Sequence, residues 1–287
     1  MGDSPNPLVP RRRLRAEIRN LRQEVGLTQD QVAEAMDWSL SKVIRIEAGS
    51  VGISTNDLKA LLRLYKISDP GRVEDLVSLA RLARERSWWS THKDILSPQL
   101  IQFIEYEAAA SVNRGFQPTL VPGLLQTEEY ARAIISELGS PSTPERLDSI
   151  VSVRMKRQEL LDRADPPTLH FILDEAVIRR VVGGQSVMRR QIHQIIEMAA
   201  KPNVTVEVVP FAVGVHPGMQ GPFVILEFPD PGDDDVLYLE GFRGDVIIRD
   251  VPEDVAAFSV SFERLRKLSL GPDESVSHLG KVADDMT

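Results

Sequence analysis

Residues 27–49, LTQDQVAEAMDWSLSKVIRIEAG, constrain this chain more tightly than any other stretch. Thr28 has the hydroxyl needed to cap a helix, and Gln31, three residues later, completes a capping box. Val32 and Met36 then share one face, while Ala33 is small enough to let a crossing helix approach. Residues 37–39 break the pattern, and Ser39 caps a second helix whose Val43 and Ile46 point inward. Leu40, Ser41, Lys42 and Arg45 fall on its other faces. Gly49 supplies the left-handed residue that ends it. Two short helices joined by a tight turn are therefore expected.

The flanking sequence supplies a core for this pair. Leu14, Ile18 and Leu21 recur at helical spacing in a predicted helix from residue 10 or 11 to 24, with Arg11, Arg12, Arg15, Arg19 and Arg22 on its remaining surface. A helix from 54 or 55 to about 65 places Leu58, Leu61, Leu62 and Tyr65 against Leu14, Ile18, Val32, Val43 and Ile46. A further helix over 71–86 carries Val73, Leu76, Val77, Leu79, Ala80 and Ala83, and either completes this head or couples it to the next domain. Residues 1–9, rich in proline and small polar residues, are expected to be a disordered tail.

Residues 11–66 resemble the lambda-repressor-like, Xre-family DNA-binding domain, and WSLSKVIRIEAG is similar to that family's recognition helix and its glycine stop. Leu40 departs from the family pattern, where a small or polar residue is usual, and either touches a thymine methyl or packs. The resemblance implies double-stranded DNA as partner, with Leu40, Ser41, Lys42 and Arg45 facing the major groove behind the capping Ser39. Thr28 and Gln29 would contact phosphates at a helix N-terminus, and arginines of the first helix, Arg11 and Arg12 among them, would add further phosphate contacts. One such helix reads only a few base pairs, so a homodimer on paired half-sites is expected, with the helices at 71–86 and 252–268 as candidate faces.

Charge is distributed to match. The chain has 287 residues and a net charge of −8, too acidic to coat nucleic acid everywhere. Yet residues 1–86 hold 15 Lys and Arg against 12 Asp and Glu, about +3, leaving about −11 for the rest. A basic head on an acidic body that turns away from phosphate is the reading this favours. No run of eighteen apolar residues exists, and prolines and arginines stand where a signal peptide needs an apolar core, so a cytoplasmic protein, nucleoid-associated when bound to DNA, is expected, with no membrane partner. Absence of cysteine excludes disulfides and thiolate catalysis, and the five histidines form no HExxH or i, i+4 pair, so neither metal nor cofactor is expected.

The second part reads as mixed. Helices are predicted from Ser97 and Pro98 through Ala109, after the Thr127 cap, over 143–161, after Asp174, over 185–200 and over 255–268. Residues 168–173 alternate as a strand, 204–209 form a second, and the intervening helices suggest a parallel right-handed crossover. Runs at 223–228, 236–240 and 246–248 read as an antiparallel meander, and 117–123 as an extended or turning stretch. The fold class is α+β: an all-α helix-turn-helix domain over 10–70, a connecting helix and linker over 71–96, a mixed α/β domain with a small, mostly antiparallel sheet over 97–270, and a polar tail over 271–287.

VPGLLQTEEYARA at 121–133, VRMKRQELL at 153–161, DEAVIRRVVGG at 174–184 and PNVTVEVVPF at 202–211 resemble, in this order, the effector domain of WhiJ-like, antitoxin-like transcriptional regulators of filamentous actinobacteria. That resemblance implies a regulator of development or secondary metabolism, often encoded beside a small acidic partner protein.

Enzyme signatures are absent: no GxSxG, Walker or HExxH motif occurs. Glu175 and Arg179 read as a helical surface pair. Arg154, Arg157 and Gln158 bind either a carboxylate ligand or Glu128 and Glu129, and His216 is expected to be a partly exposed loop residue. The expected function is a sequence-specific DNA-binding transcription regulator whose acidic domain senses a partner protein or small-molecule effector and dimerises. The alternative is an antitoxin-like module that sequesters a small partner and uses DNA binding for autoregulation.

Overall fold

Local capping signals set the helices of the N-terminal unit in the computed structural model, which describes residues 7–49, 51–85, 87–92, 94–139, 143–229, 233–241, 244–249 and 251–286. Helix α1 spans Leu8–Glu24, so the tail expected over residues 1–9 is helical at its last two positions, while residues 1–6 lie outside the described residues. Helix α2 (Gln29–Ala35) starts at the Thr28–Gln31 capping box, with both reciprocal hydrogen bonds formed. Asp37 takes a left-handed conformation at φ 54°, which its short polar side chain tolerates, and turns the chain into α3 (Leu40–Glu47), capped by Ser39. Gly49, at φ 71°, ends it as expected.

Ser54 caps α4 (Thr55–Leu64), and Asp69 with Pro70 opens α5 (Pro70–Leu82). Leu14, Ile18, Val32, Val43, Ile46, Leu58, Leu61 and Leu62 form one core, to which α5 adds Leu76, Val77 and Ala80. Helix α5 packs on α1 and α4 and shares their core. Residues Met1–Thr91 form this first compact unit and His92–Thr287 the second.

The second unit is organised by a six-stranded mixed sheet. In chain order it contains α6 (Pro98–Glu107), β1 (Val112–Gln117), α7 (Glu128–Leu138), α8 (Pro144–Arg157), β2 (Thr168–Asp174), α9 (Glu175–Arg179), α10 (Gln185–Ala199), β3 (Val204–Val209), β4 (Phe223–Glu227), β5 (Val236–Leu239), β6 (Val246–Ile248), α11 (Pro252–Leu268) and α12 (Pro272–Asp284). The sheet order is β3-β2-β1-β4-β5-β6, with β1, β2 and β3 parallel and the other pairings antiparallel. Alternation along β2 shows how it is filled. Leu169, Phe171 and Leu173 join the core beneath α7, α8, α10 and α12, whereas Ile172 joins Phe116, Phe223, Ile225 and Phe262 on the α11 face. The parallel crossover and the β4–β6 meander agree with the expectation from sequence.

Two elements differ from it. The central strand β1, VNRGFQ, occupies residues expected to follow a helix directly, and only Gln117 of the stretch read as extended lies in it. Its sequence lacks a β pattern because its fit is long-range: Gly115 faces Phe171 across the β1–β2 pair, where a Cβ would meet the ring at 3.2 Å. The supposed polar tail after Gly271 is helix α12, with Leu279, Val282, Ala283 and Met286 buried. The edge of β3 is also finished there, since the Val208 amide donates to the Ser275 hydroxyl at 3.0 Å. No helix among the described residues is long and apolar enough to cross a membrane.

Candidate nucleic-acid interface

Helix α3 has one buried side and one open side. Val43, Ile46 and Glu47 face the core, and Leu40, Ser41, Ile44, Arg45 and Ala48 form an exposed stripe at helical spacing. Two members of that stripe are large and apolar: Leu40 is 38% and Ile44 44% exposed. Leu40 is therefore not a core residue of the head. Ile44 is absent from the sequence-based set because an aliphatic residue in a short helix is assigned to the core by default. Its position four after Leu40 and one before Arg45 puts it on the open side.

A network of charge fixes the angle at which α3 is presented. Glu47 accepts hydrogen bonds from Arg22 of α1, Nε at 2.7 Å and Nη2 at 3.1 Å, and from Gln29 Nε2 of α2 at 2.9 Å. Arg22 also donates Nη1 to the Leu27 carbonyl at 2.7 Å. The hydrogen bond to Glu47 raises the Arg22 pKa above its ordinary value, against the opposing effect of burial. Arg22 is thus not a solvated surface residue, and Gln29 directs its side chain to Glu47 instead of outward to a phosphate.

Other residues expected to contact DNA have partners within the unit. Lys42 lies 3.7 Å from the Trp38 ring centroid and pairs with Asp57 at 3.2 Å, so its ammonium is held beside α4 and off the exposed stripe. Arg12 is buried, at 4% exposure, and Arg11 donates Nη2 to the Ala83 carbonyl at 3.3 Å. Arg11 is thereby held at the α5 end, where α1 packs on α5. Thr28 and Ser39 remain exposed at their helix starts, with their hydroxyls engaged as caps. Arg45 stays exposed and donates Nε to the Ser41 carbonyl at 3.2 Å.

In the second unit the polar residues singled out from sequence find partners of their own. Arg157 forms a bidentate, buried pair with Glu107, both contacts at 2.9 Å, while Arg154 donates Nη1 to Gln126 Oε1 at 2.9 Å. Gln158 donates to the carbonyls of Gly123 and Gln126. Glu128 and Glu129 pair elsewhere, with Arg132 and Arg190. The Glu175–Arg179 pair forms at 3.0 Å, and Glu175 also accepts from the Phe211 amide and lies 3.2 Å from His278. Burial would raise the Glu175 pKa, but these contacts outweigh it and hold it below the ordinary carboxylate value. His216 is buried and lies 3.1 Å from Asp174 Oδ2, because the loop carrying it folds onto the C-terminal end of β2.

The family described as a helix-turn-helix domain matches residues 13–76, and that described as a domain of unknown function (DUF5753) matches residues 100–281. Neither a curated protein nor a solved structure matches the chain. The helix-turn-helix match and the open face of α3 point to a DNA-binding regulator rather than an enzyme. With the second match spanning more than half of its length, the chain belongs to the DUF5753 family and carries that domain behind an N-terminal helix-turn-helix domain.

Proposed function

We propose that this protein is a sequence-specific transcription regulator that reads its operator with the Leu40, Ser41, Ile44 and Arg45 face of α3. The observation that carries this reading is the two-sided nature of that helix: Val43, Ile46 and Glu47 lock it into the head, and the opposite stripe is left open. Arg45 supplies a guanidinium suited to bidentate contact with guanine, Ser41 a hydroxyl, and Leu40 and Ile44 apolar surface for thymine methyl groups. Lys42, tied to Trp38 and Asp57, supplies field and orientation to the backbone.

The test uses an operator selected from random duplexes by the full-length protein. Ser41→Ala with Arg45→Ala should weaken specific retardation by about two orders of magnitude, given about 1–3 kcal/mol for a good base contact, with the circular dichroism spectrum unchanged. Lys42→Ala should act mainly on salt dependence. A footprint retained by a folded Ser41→Ala, Arg45→Ala protein would remove the assignment.

The proposal extends to a homodimer, since one such helix covers a few base pairs and paired half-sites are the physical remedy. Both helices expected to pair commit apolar residues to their own cores, Leu76, Val77 and Ala80 in α5 and Val255, Phe262 and Leu265 in α11, although Val260 of α11 is 62% exposed. Sedimentation that finds only monomers, with and without operator, would overturn the dimer. The acidic domain is read as the sensor that controls DNA binding, which the half-buried Arg154 supports. The order of its sequence blocks supports the WhiJ-like assignment and a small acidic partner protein. An antitoxin-like role, with DNA binding kept for autoregulation, would be favoured if such a partner proved to be held stoichiometrically.

A further inference from the structure

Residues 121–127, VPGLLQT, are held from several directions. Buried Gln191 accepts from the Thr127 amide and donates to the Leu125 carbonyl, both at 2.7 Å, and Gln126 Nε2 donates to the Val121 carbonyl at 2.7 Å. Gln158 clamps the carbonyls of Gly123 and Gln126. The segment presents two things to α8: the Gln126 amide oxygen, and Gly123, beside which both arginine side chains lie. A Cβ there would lie 3.4 Å from Arg154 Cδ and 3.4 Å from Arg157 Nη1.

The two arginines are treated differently. Arg157 is matched by Glu107. Arg154 has one protein partner, the neutral Gln126, and forms no direct ion pair among the described residues. The residue is only partly buried. Dehydration, and then the neighbouring Arg157, push its pKa down to about 10, so it stays charged at neutral pH but is poorly compensated. Glu240, whose charge acts on Arg154, makes no direct pair with it among the described residues. Although Glu240 as a residue lies at the surface, burial of its carboxyl and the nearby Asp245 raise its pKa, and it takes a hydrogen bond from Gln117. A partly exposed cation whose protein partner is a neutral amide, set beside a segment braced by hydrogen bonds, is the arrangement that recognises an oxyanion.

We propose that Arg154, with Gln126 and the Gly123 backbone beside it, forms a binding site for a small molecule bearing a carboxylate or phosphate group. This names the ligand class for the sensing reading of the acidic domain and rests on that reading for its purpose, whereas the binding itself does not.

The test titrates the full-length protein, without DNA, with inorganic phosphate and separately with succinate at constant ionic strength, following thermal midpoint and heat of binding. At least one probe should bind saturably. Arg154→Lys, which keeps the charge and loses the fork, should weaken that binding about tenfold or more, and Glu240→Gln, which removes a facing negative charge, should strengthen it. The opposite signs separate a site from simple damage to the fold. Saturation by phosphate alone assigns a phosphate ester, and by succinate alone a carboxylate. Absence of saturation by both, or equal binding by the wild type and Arg154→Lys, overturns the site. If binding holds while operator affinity ignores the probe, the site stands and the sensing reading falls.

Discussion

Glu47→Ala is expected to lower the thermal midpoint of the helix-turn-helix unit by more than about ten degrees and to abolish operator binding at growth temperatures. The carboxylate is 4% exposed and joins three helices through Arg22 and Gln29. Its removal leaves the Arg22 guanidinium, 13% exposed, with the Leu27 carbonyl as its remaining acceptor among the described residues, and leaves Gln29 without its carboxylate partner. Breaking a buried pair from one side costs about 3–5 kcal/mol, because a dehydrated charge is stranded. Since a small domain has only about 5–15 kcal/mol in total, and each kcal/mol moves the midpoint by roughly 4–8 °C at this size, the loss is a large share of what there is. Trp38 packs against the core of this unit, so in a Trp88→Phe, Trp89→Phe background its emission follows the unfolding. Glu47→Gln keeps an acceptor and should lose less. A tryptophan transition unmoved in Glu47→Ala would show that packing alone orients α3.

How legible each feature is in the sequence depends on how far apart its causes lie. The caps at Thr28, Ser39 and Thr127 act within three residues, and each is visible as a short motif. The exposed side of α3 is legible in outline, yet the sequence does not show that Ile44 lies on it or that Trp38 and Asp57 engage the Lys42 ammonium. Glu47 carries a signal that a search for groove-facing residues passes over: four residues after Val43, it must face the same core, and a carboxylate there demands a cation. The stripe Leu279, Val282, Ala283 and Met286 likewise runs at helical spacing behind Gly271 and Pro272 and identifies α12 in a stretch whose charge alone suggests a tail. Strand β1 and the partner of Arg157 have no such local signal. Gly115 answers to Phe171 and Arg157 to Glu107, 56 and 50 residues away in the chain.

The same physics gives the largest expected effect in the second unit, at the Arg157–Glu107 pair. Burial by itself would lower the Arg157 pKa, but the charge and hydrogen bonds of Glu107 reverse this and hold it above the ordinary value, so the guanidinium stays ionised under any native condition. Glu107→Ala therefore strands a full charge beside Phe103, with Arg154 close enough to repel it. The expected cost is about 3–5 kcal/mol, or roughly 6–20 °C in midpoint for a unit of this size. It should appear in calorimetry as the fall of the second unit's transition. Replacing both partners, Glu107→Met with Arg157→Met, removes the stranded charge together with its partner and should recover most of that loss. The double variant also isolates the pair's second task. Of the two charges removed, Arg157 acts on Arg154 more strongly than Glu107 does, so the doubly substituted protein should fold well yet bind the oxyanion probe somewhat more weakly. Should the double variant be no more stable than Glu107→Ala, the stability would lie in the shape of the salt bridge and not in the compensation of charge.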